Sequence, residues 1–277
     1  MPSTDKPSSN ESLLSASGIR SQLGDSLAAS VLHLHASLES TNTYLLQSVD
    51  GAAVEICATE LQTRGRGRRG KVWSTPKNSV TFSMKLTVPV PLSQIGGASL
   101  VCGVALCDTF HRLGVSQAAV KWPNDILVGG AKLAGILVEI ATHNASSTTL
   151  VVGIGINYRA GPETEKIDRE IIDLHQLFAG DPPDRSQLIG TICNRIHADL
   201  ASALPLAATF VENWRSYDAL AGQSVVVQRS VSCGNTDSVA GNVEGIDKRG
   251  YLVVETNNGT RFFSSAEVSI QKSTNEK

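Results

Sequence analysis

Residues 65–73 read Gly-Arg-Gly-Arg-Arg-Gly-Lys-Val-Trp, which places four cations and an indole within nine positions. The guanidinium forks of Arg66, Arg68 and Arg69 suit phosphate or carboxylate oxygens, while Gly65, Gly67 and Gly70 permit positive φ and close approach to a ligand. Such a run also fits a solvated basic loop or a nucleic-acid contact. The second of these is disfavoured by the chain as a whole, whose 24 basic and 26 acidic side chains leave a net charge of −2. A phosphate-binding P-loop matches from Gly65 to Lys71 and then fails: Val72 stands where a Ser or Thr would ligate magnesium, and no helix start follows. The pattern favours a small anion wrapped by a loop.

Three further clusters carry chemistry. Lys121-Trp122-Pro123-Asn124-Asp125 groups an ammonium, an amide and a carboxylate around a proline that restricts Trp122 to extended backbone. Its plainer reading is a polar turn between strands. Lys132 opens the apolar run Leu133–Val138 before Glu139, so its stem can pack inside while its head reaches a pocket; the alternative is a strand-edge lysine in water. Gly153-Ile154-Gly155-Ile156-Asn157 marks a strand that a ligand or another backbone approaches closely. It is no dinucleotide fingerprint, since a third glycine is missing and Tyr158 follows where a helix should open. The six histidines form no Ser-His-Asp or Cys-His constellation, and no side-chain nucleophile is indicated.

The elements that must hold these clusters follow from periodicity. Residues 1–10 are polar, Ser12–Leu27 fits a short helix, Val31–Leu34 is extended and Thr41–Val49 is helical. Val54–Glu60 forms a strand that feeds the glycine-rich loop. Val80–Val88, Lys132–Ile140 and Thr148–Ile156 are further strands, and Leu92–Leu113, Leu188–Leu204 and Ala207–Leu220 are helices. After Gly222 the texture changes to short β runs at Ser224–Gln228, Val239–Ile246, Tyr251–Glu255 and Arg261–Ser264, with Asn258-Gly259 as a hairpin turn. A chain of 277 residues therefore reads as one main domain followed by a small barrel.

Five cysteines show neither C-x-x-C nor zinc spacing and read as reduced thiols. The longest apolar stretch, Ile95–Leu106, falls short of the ~20 residues that span a bilayer. With no targeting signal at the start, a cytoplasmic protein without a membrane partner is expected.

Ser40-Thr41-Asn42, Gln62 with Gly65–Gly70, Lys121–Asp125, Lys132–Glu139 and Gly153–Asn157 stand in the order seen in biotin protein ligases, which the chain resembles over about residues 31–270. It is similar to the bacterial type in which an SH3-like domain follows the catalytic domain. The resemblance implies an α+β fold, with a mixed β-sheet backed by helices as in the class II aminoacyl-tRNA synthetase core. A small C-terminal SH3-like β-barrel completes it. The implied domains are an N-terminal tail and short helix (1–30), a catalytic domain (31–220) and the barrel (221–272).

The activity implied is two-step: biotin and ATP, with Mg²⁺, give biotinyl-5′-AMP and pyrophosphate, and a carrier lysine then displaces AMP. By the family pattern Ser40, Thr41, Asn42 and Gln62 face biotin, together with Arg66, Gly67, Arg68, Lys132 and Gly135. Arg68, Arg69, Trp73, Lys121, Asn124 and Asn157 match the ATP site, with Trp73 stacked on adenine. Lys132, Arg66, Arg68 and Asp125 fall at the chemistry, Asp125 either orienting the incoming lysine or holding Mg²⁺. Attack of a carboxylate on a phosphate brings two anions together, and Arg66, Arg68, Lys121 and Lys132 can offset their repulsion. Because a mixed anhydride hydrolyses readily, residues 64–73 are expected to be mobile until ligand closes them.

The implied partner is a biotin carboxyl carrier protein or domain of a carboxylase, and homodimers through a sheet edge are common in the family. Lipoate or octanoate ligase is the rival enzyme. A biotin-responsive repressor is the rival of another class; it depends on a winged helix, and only about thirty residues precede the catalytic region, so no nucleic acid is expected.

Overall fold

The computed structural model describes residues 13–73, 79–159, 170–230, 236–265 and 268–272. The elements are α1 (Ala16–Arg20), β1 (Val31–His35), α2 (Thr41–Gln47), β2 (Val54–Thr59), β3 (Val80–Val88), α3 (Ala98–Arg112), β4 (Ala119–Lys121), β5 (Asp125–Val128), β6 (Ala131–His143) and β7 (Thr148–Ile156). They continue with α4 (Leu174–Leu177), α5 (Arg185–Ala203), α6 (Ala208–Asn213), β8 (Ser224–Ser230), β9 (Thr236–Ile246), β10 (Leu252–Thr256), β11 (Gly259–Phe263) and β12 (Val268–Lys272). Seven strands form one sheet in the order β1-β2-β3-β7-β6-β5-β4, parallel only between β1 and β2. The result is the mixed α+β sheet backed by helices that the sequence implied.

Successive side chains on a strand point to opposite faces, so parity sorts this sheet into two environments. Ile56, Ala58, Phe82, Met84, Ala134, Ile136, Val152 and Ile154 are buried in one core with Leu100, Leu106 and Phe110 of α3 and Ile189, Ile192 and Ile196 of α5. The opposite parity carries mainly small or polar side chains, with Leu137 and Val151 among them. Cys57, Ser83, Gly153 and Leu137 stand side by side in one registered row, and Thr81, Gly155, Gly135 and Asp125 in the next. α2 covers part of this second face by packing Leu45 against Cys57 and Val151. The rest is a trough floored by glycines.

The second sheet, β11-β10-β9-β8-β12, is antiparallel throughout. Val225, Val227, Val243, Ile246, Leu252, Val254 and Phe263 are buried in the same cluster as the main core. A buried hydrogen bond from Trp122 Nε1 to Gly250 O, 3.0 Å, crosses between the two sheets.

Four elements differ from the sequence reading. The helix expected over Leu92–Leu113 is a 3-10 turn at Leu92–Gln94 followed by α3 from Ala98, and between them Gly96 and Gly97 lie against Arg249 O and the Leu206 side chain, where a Cβ would not fit. The helix expected over Ala207–Leu220 ends at Asn213 and passes into a 3-10 turn at Trp214–Ser216. Asp218 explains the stop: its carboxylate accepts from Trp214 Nε1 at 2.9 Å and Leu220 N at 2.8 Å, turning the chain toward β4, where Val120 N donates to Tyr217 O. The leader contains α1 and a 3-10 turn at Asp25–Leu27 rather than one continuous helix, and fully buried Ile19 ties it to α5. Val268–Lys272, a short alternation of Val268 and Ile270 with polar residues that the sequence reading did not assign to a strand, pairs with β8 as β12.

Candidate active site

Ser40 caps α2, its hydroxyl accepting from Thr43 N at 3.4 Å, and the buried trio Ser40, Thr41 and Asn42 therefore opens the helix over the trough. Thr41 N donates to Gln62 Oε1 at 2.9 Å. Asn42 is held from both sides. Its Oδ1 accepts from Ser83 Oγ at 2.5 Å, and its Nδ2 donates to Glu139 Oε2 at 2.9 Å and Leu137 O at 3.3 Å. Beneath it, a Cβ on Gly153 would stand 2.0 Å from Asn42 Oδ1.

The glycine-rich segment closes on itself as a tight loop, Gly67 N donating to Lys71 O at 2.8 Å and Trp73 N to Gly65 O at 2.9 Å. The positive φ expected of its glycines occurs at Gly70 (72°) and at Arg69 (57°), and at neither Gly65 nor Gly67. Gly65 is required instead by space, since a Cβ there would lie 2.3 Å from Trp73 O. Left-handed backbone at Arg69 costs roughly 1–2 kcal/mol, which the loop's other contacts must offset. Arg66 forms a two-pronged pair with Glu139 at 2.7 and 3.2 Å. Arg68 donates to Asn124 Oδ1 at 3.1 Å and to the carbonyl of Ser265, in the connection that follows β11. Burial draws the Arg68 pKa below its ordinary value against the attraction of Asp125, and Arg69 adds to the depression. A guanidinium withdrawn from water in this way gains from an incoming anion.

Lys132 reaches the trough through a β-bulge. Pairing passes from Ile126↔Ala134 to Leu127↔Lys132, so Leu133 is the extra residue that re-aims the lysine from the core face to the glycine face. Its ammonium bonds the Asp125 carboxylate and lies 5.2 Å from the centroid of the Trp73 ring. The indole rests on β6 and β7, where a Cβ at Gly155 would meet it at 2.3 Å and one at Gly135 at 2.8 Å. The glycines of β7 therefore accommodate the chain's own Asn42 and Trp73 side chains. The buried Trp73 Nε1 has no hydrogen-bond partner among the described atoms.

These groups surround a cavity of about 240 Å³. The structure brings Ser40, Thr41, Asn42, Gln62, Arg66, Gly67, Arg68, Arg69 and Trp73 to its walls, with Lys121, Asn124, Asp125, Lys132 and Gly135 opposite. Asn157 is the exception among the residues matched to ATP. Its amide donates to Lys132 O at 2.9 Å and Ile172 O at 3.3 Å, so it staples backbone below the site instead of lining it. Three participants gave no individual signal in the sequence: Thr81 in the cavity wall, and Ser83 and Glu139, which hold Asn42 from behind. Asp125 is the sole carboxylate lining the cavity among the described residues, and Lys132 engages it. That donor set does not fit a magnesium ion resident on the protein.

Two family models match the chain: the Biotin/lipoate A/B protein ligase family over residues 34–157, and the Biotin protein ligase C terminal domain over 222–270. The bifunctional ligase/repressor BirA of Salmonella typhimurium is 31% identical over 267 residues, spanning 94% of this chain and 79% of that protein. The chain belongs to the biotin protein ligase family. A biotin–[acetyl-CoA-carboxylase] ligase of Mycobacterium tuberculosis is 30% identical over 86% of this chain and 88% of its own length. The fold matches that of the biotin protein ligase from Aquifex aeolicus in complex with biotin and ATP, with a TM-score of 0.74 at 23% identity over 88% of this chain and 99% of that one. The second family model covers the C-terminal sheet, where the sequence reading expected the SH3-like domain of biotin ligases.

Membership of this family gives the Asn42–Gly153 contact a testable consequence. Gly153→Ala should displace the Asn42 amide and raise the biotin KM by about tenfold or more, the scale of a small-to-large change at a packed site. Biotin titration with the thermal midpoint measured in parallel separates lost recognition from lost folding. An unchanged KM would show that Asn42 can shift without cost.

Proposed function

We propose that this chain activates biotin with Mg-ATP to biotinyl-5′-AMP and transfers biotin to a lysine of a biotin carboxyl carrier protein or domain, in the cytoplasm. The reading is carried by the convergence, in one cavity, of the buried Ser40-Thr41-Asn42 turn with the Arg68 and Lys132 cations, within a chain of this family. The polar turn is the end suited to the ureido group, whose donors and acceptors match hydroxyl and amide side chains. Lys132 and Arg68 meet the biotin carboxylate and the α-phosphate.

In the first step a carboxylate oxygen bonds to the α-phosphorus and the bond to pyrophosphate breaks. Negative charge moves across the phosphoryl oxygens, and two preorganised cations stabilise it. Asp125 orients the Lys132 ammonium, and magnesium enters with the nucleotide as part of the substrate. In the second step the neutral amine of the carrier lysine attacks the acyl carbon, AMP departs, and the amine's proton is lost to solvent or phosphate. Trp73 is the candidate platform for adenine; its seat on Gly135 and Gly155 puts the indole beside Lys132. For a homodimer, β6 offers an edge: β5 pairs only with its first residues, and beyond Ile136 it has no partner on that side among the described residues.

The purified chain incubated with Mg-ATP and equal biotin, lipoate and octanoate tests this reading by mass spectrometry of any acyl-AMP. Biotinyl-AMP alone is expected. Lipoyl- or octanoyl-AMP would transfer the chain to the rival ligases that share its first family model, and no adenylate from folded protein would overturn the activity.

A further inference from the structure

Glu139 lies on the glycine face of β6, two and four residues beyond Leu137 and Gly135, and one of its oxygens serves two partners. Oε2 accepts from Asn42 Nδ2 at 2.9 Å and from Arg66 Nη1 at 3.2 Å, while Oε1 takes Arg66 Nη2 at 2.7 Å. Asn42 belongs to the turn that opens α2, and Arg66 belongs to the glycine-rich loop. Arg66 also reaches Thr43 Oγ1 of α2 directly at 3.5 Å, and Glu139 adds to that long contact a charged link that grips the loop with two prongs and Asn42 with the same oxygen. We infer that Glu139 is a positioning residue that fastens the glycine-rich loop to the biotin-recognition turn, so that loop closure and the orientation of Asn42 become one event.

An ordinary surface ion pair would contribute little. This one, with the Arg66 side chain 46% and the Glu139 side chain 21% exposed, differs in geometry and in its third partner. The guanidinium binds with both prongs, which fixes its direction as well as its distance. The shared oxygen also satisfies the amide of Asn42, whose own position is fixed by Ser83 from the opposite side and by Gly153 from below. Engaging Arg66 with Glu139 also reassigns it: the charge opposing the carboxylate and phosphate falls to Arg68, Lys121 and Lys132, and Arg66 works as the latch of the loop.

The inference rests on the ligase reading for its consequence in turnover, and on geometry alone for the latch. Glu139→Gln keeps an acceptor for Asn42 while removing the charge that grips Arg66. Limited trypsin digestion of the ligand-free protein is expected to cut Glu139→Gln between residues 64 and 71 several-fold faster than the wild type, with the thermal midpoint unchanged. Preformed biotinyl-AMP should escape about tenfold faster, the scale of a charge-assisted hydrogen bond. In the double variant Arg66→Gln/Glu139→Gln, escape should be no faster than in the more affected single variant, because the two act through one contact. The charge swap Arg66→Glu/Glu139→Arg should restore part of the protection. Wild-type digestion and escape rates in Glu139→Gln, or single effects that multiply in the double, would overturn the latch. A wild-type protein that made no biotinyl-AMP would overturn the ligase reading instead, and the digestion would still decide the latch.

Discussion

Lys132→Met is expected to slow biotinyl-AMP formation by roughly a hundred- to a thousandfold, the cost of removing one preorganised charge-stabilising donor from a reaction centre. Methionine preserves most of the stem's volume, so the change is chiefly the loss of the ammonium. Two effects then act together. The biotin carboxylate and the α-phosphate lose the cation that lets them approach, and Asp125 loses the ammonium bonded to it while facing two further anions. The second effect can be isolated. Lys132→Met/Asp125→Asn removes the stranded charge and should recover substrate binding while leaving the rate of the chemical step low, since the attraction lost at the transition state is not replaced. Single-turnover release of pyrophosphate measures the step directly. A Lys132→Met enzyme within tenfold of the wild type would show that Arg68 and Lys121 suffice and that Lys132 serves only to hold Asp125.

How far the site could be read from sequence depends on where each residue draws its meaning. Arg68, Lys121, Asn124 and Lys132 lie in short runs whose composition is unusual in itself, and all four reach the cavity. Glu139 and Ser83 sit in β6 and β3, within apolar runs where every second position faces the core. Their role depends on the register that sets Ser83 beside Gly153 and Gly153 beside Leu137. Single-sequence periodicity gives parity within a strand and no pairing between strands. Lys132 is a sharper case: parity alone points it into the core, and only the bulge at Leu133 turns it out. Asn157 errs in the opposite direction, since a polar residue closing a glycine-containing strand looks like a ligand contact and instead binds backbone carbonyls. The helix ends behave alike. Asn213 ends α6 because of Asp218, five residues downstream, and the two glycines before α3 are required by Leu206 and the turn between β9 and β10, which occupy the space beside them. Both are tertiary contacts that override a local preference.

Arg68→Gly should slow adenylate formation, since it removes one of the two cations at the transferring phosphoryl group, and should make the biotinyl-AMP that does form escape about ten- to a hundredfold faster, the range set by losing one or two charge-assisted hydrogen bonds. Arg68 ties the glycine-rich loop to two other walls at once: Asn124 in the turn after β4, and the Ser265 carbonyl in the connection that follows β11. Asn124 is itself fastened to β6 through Ile136 O at 3.0 Å, so the arginine pulls the loop across the mouth of the cavity toward fixed backbone. Glycine removes the tether and adds freedom at a loop that already contains three glycines, which favours the open state both energetically and entropically. An open loop admits water to the anhydride and lets the adenylate leave before a carrier arrives. The expected signature is therefore biotin attached to lysines of bystander proteins, with carrier biotinylation lowered at limiting biotin. Retention equal to the wild type in a chase with unlabelled biotin and ATP would mean that the remaining loop contacts, Arg66 with Glu139 above all, close the cavity without Arg68.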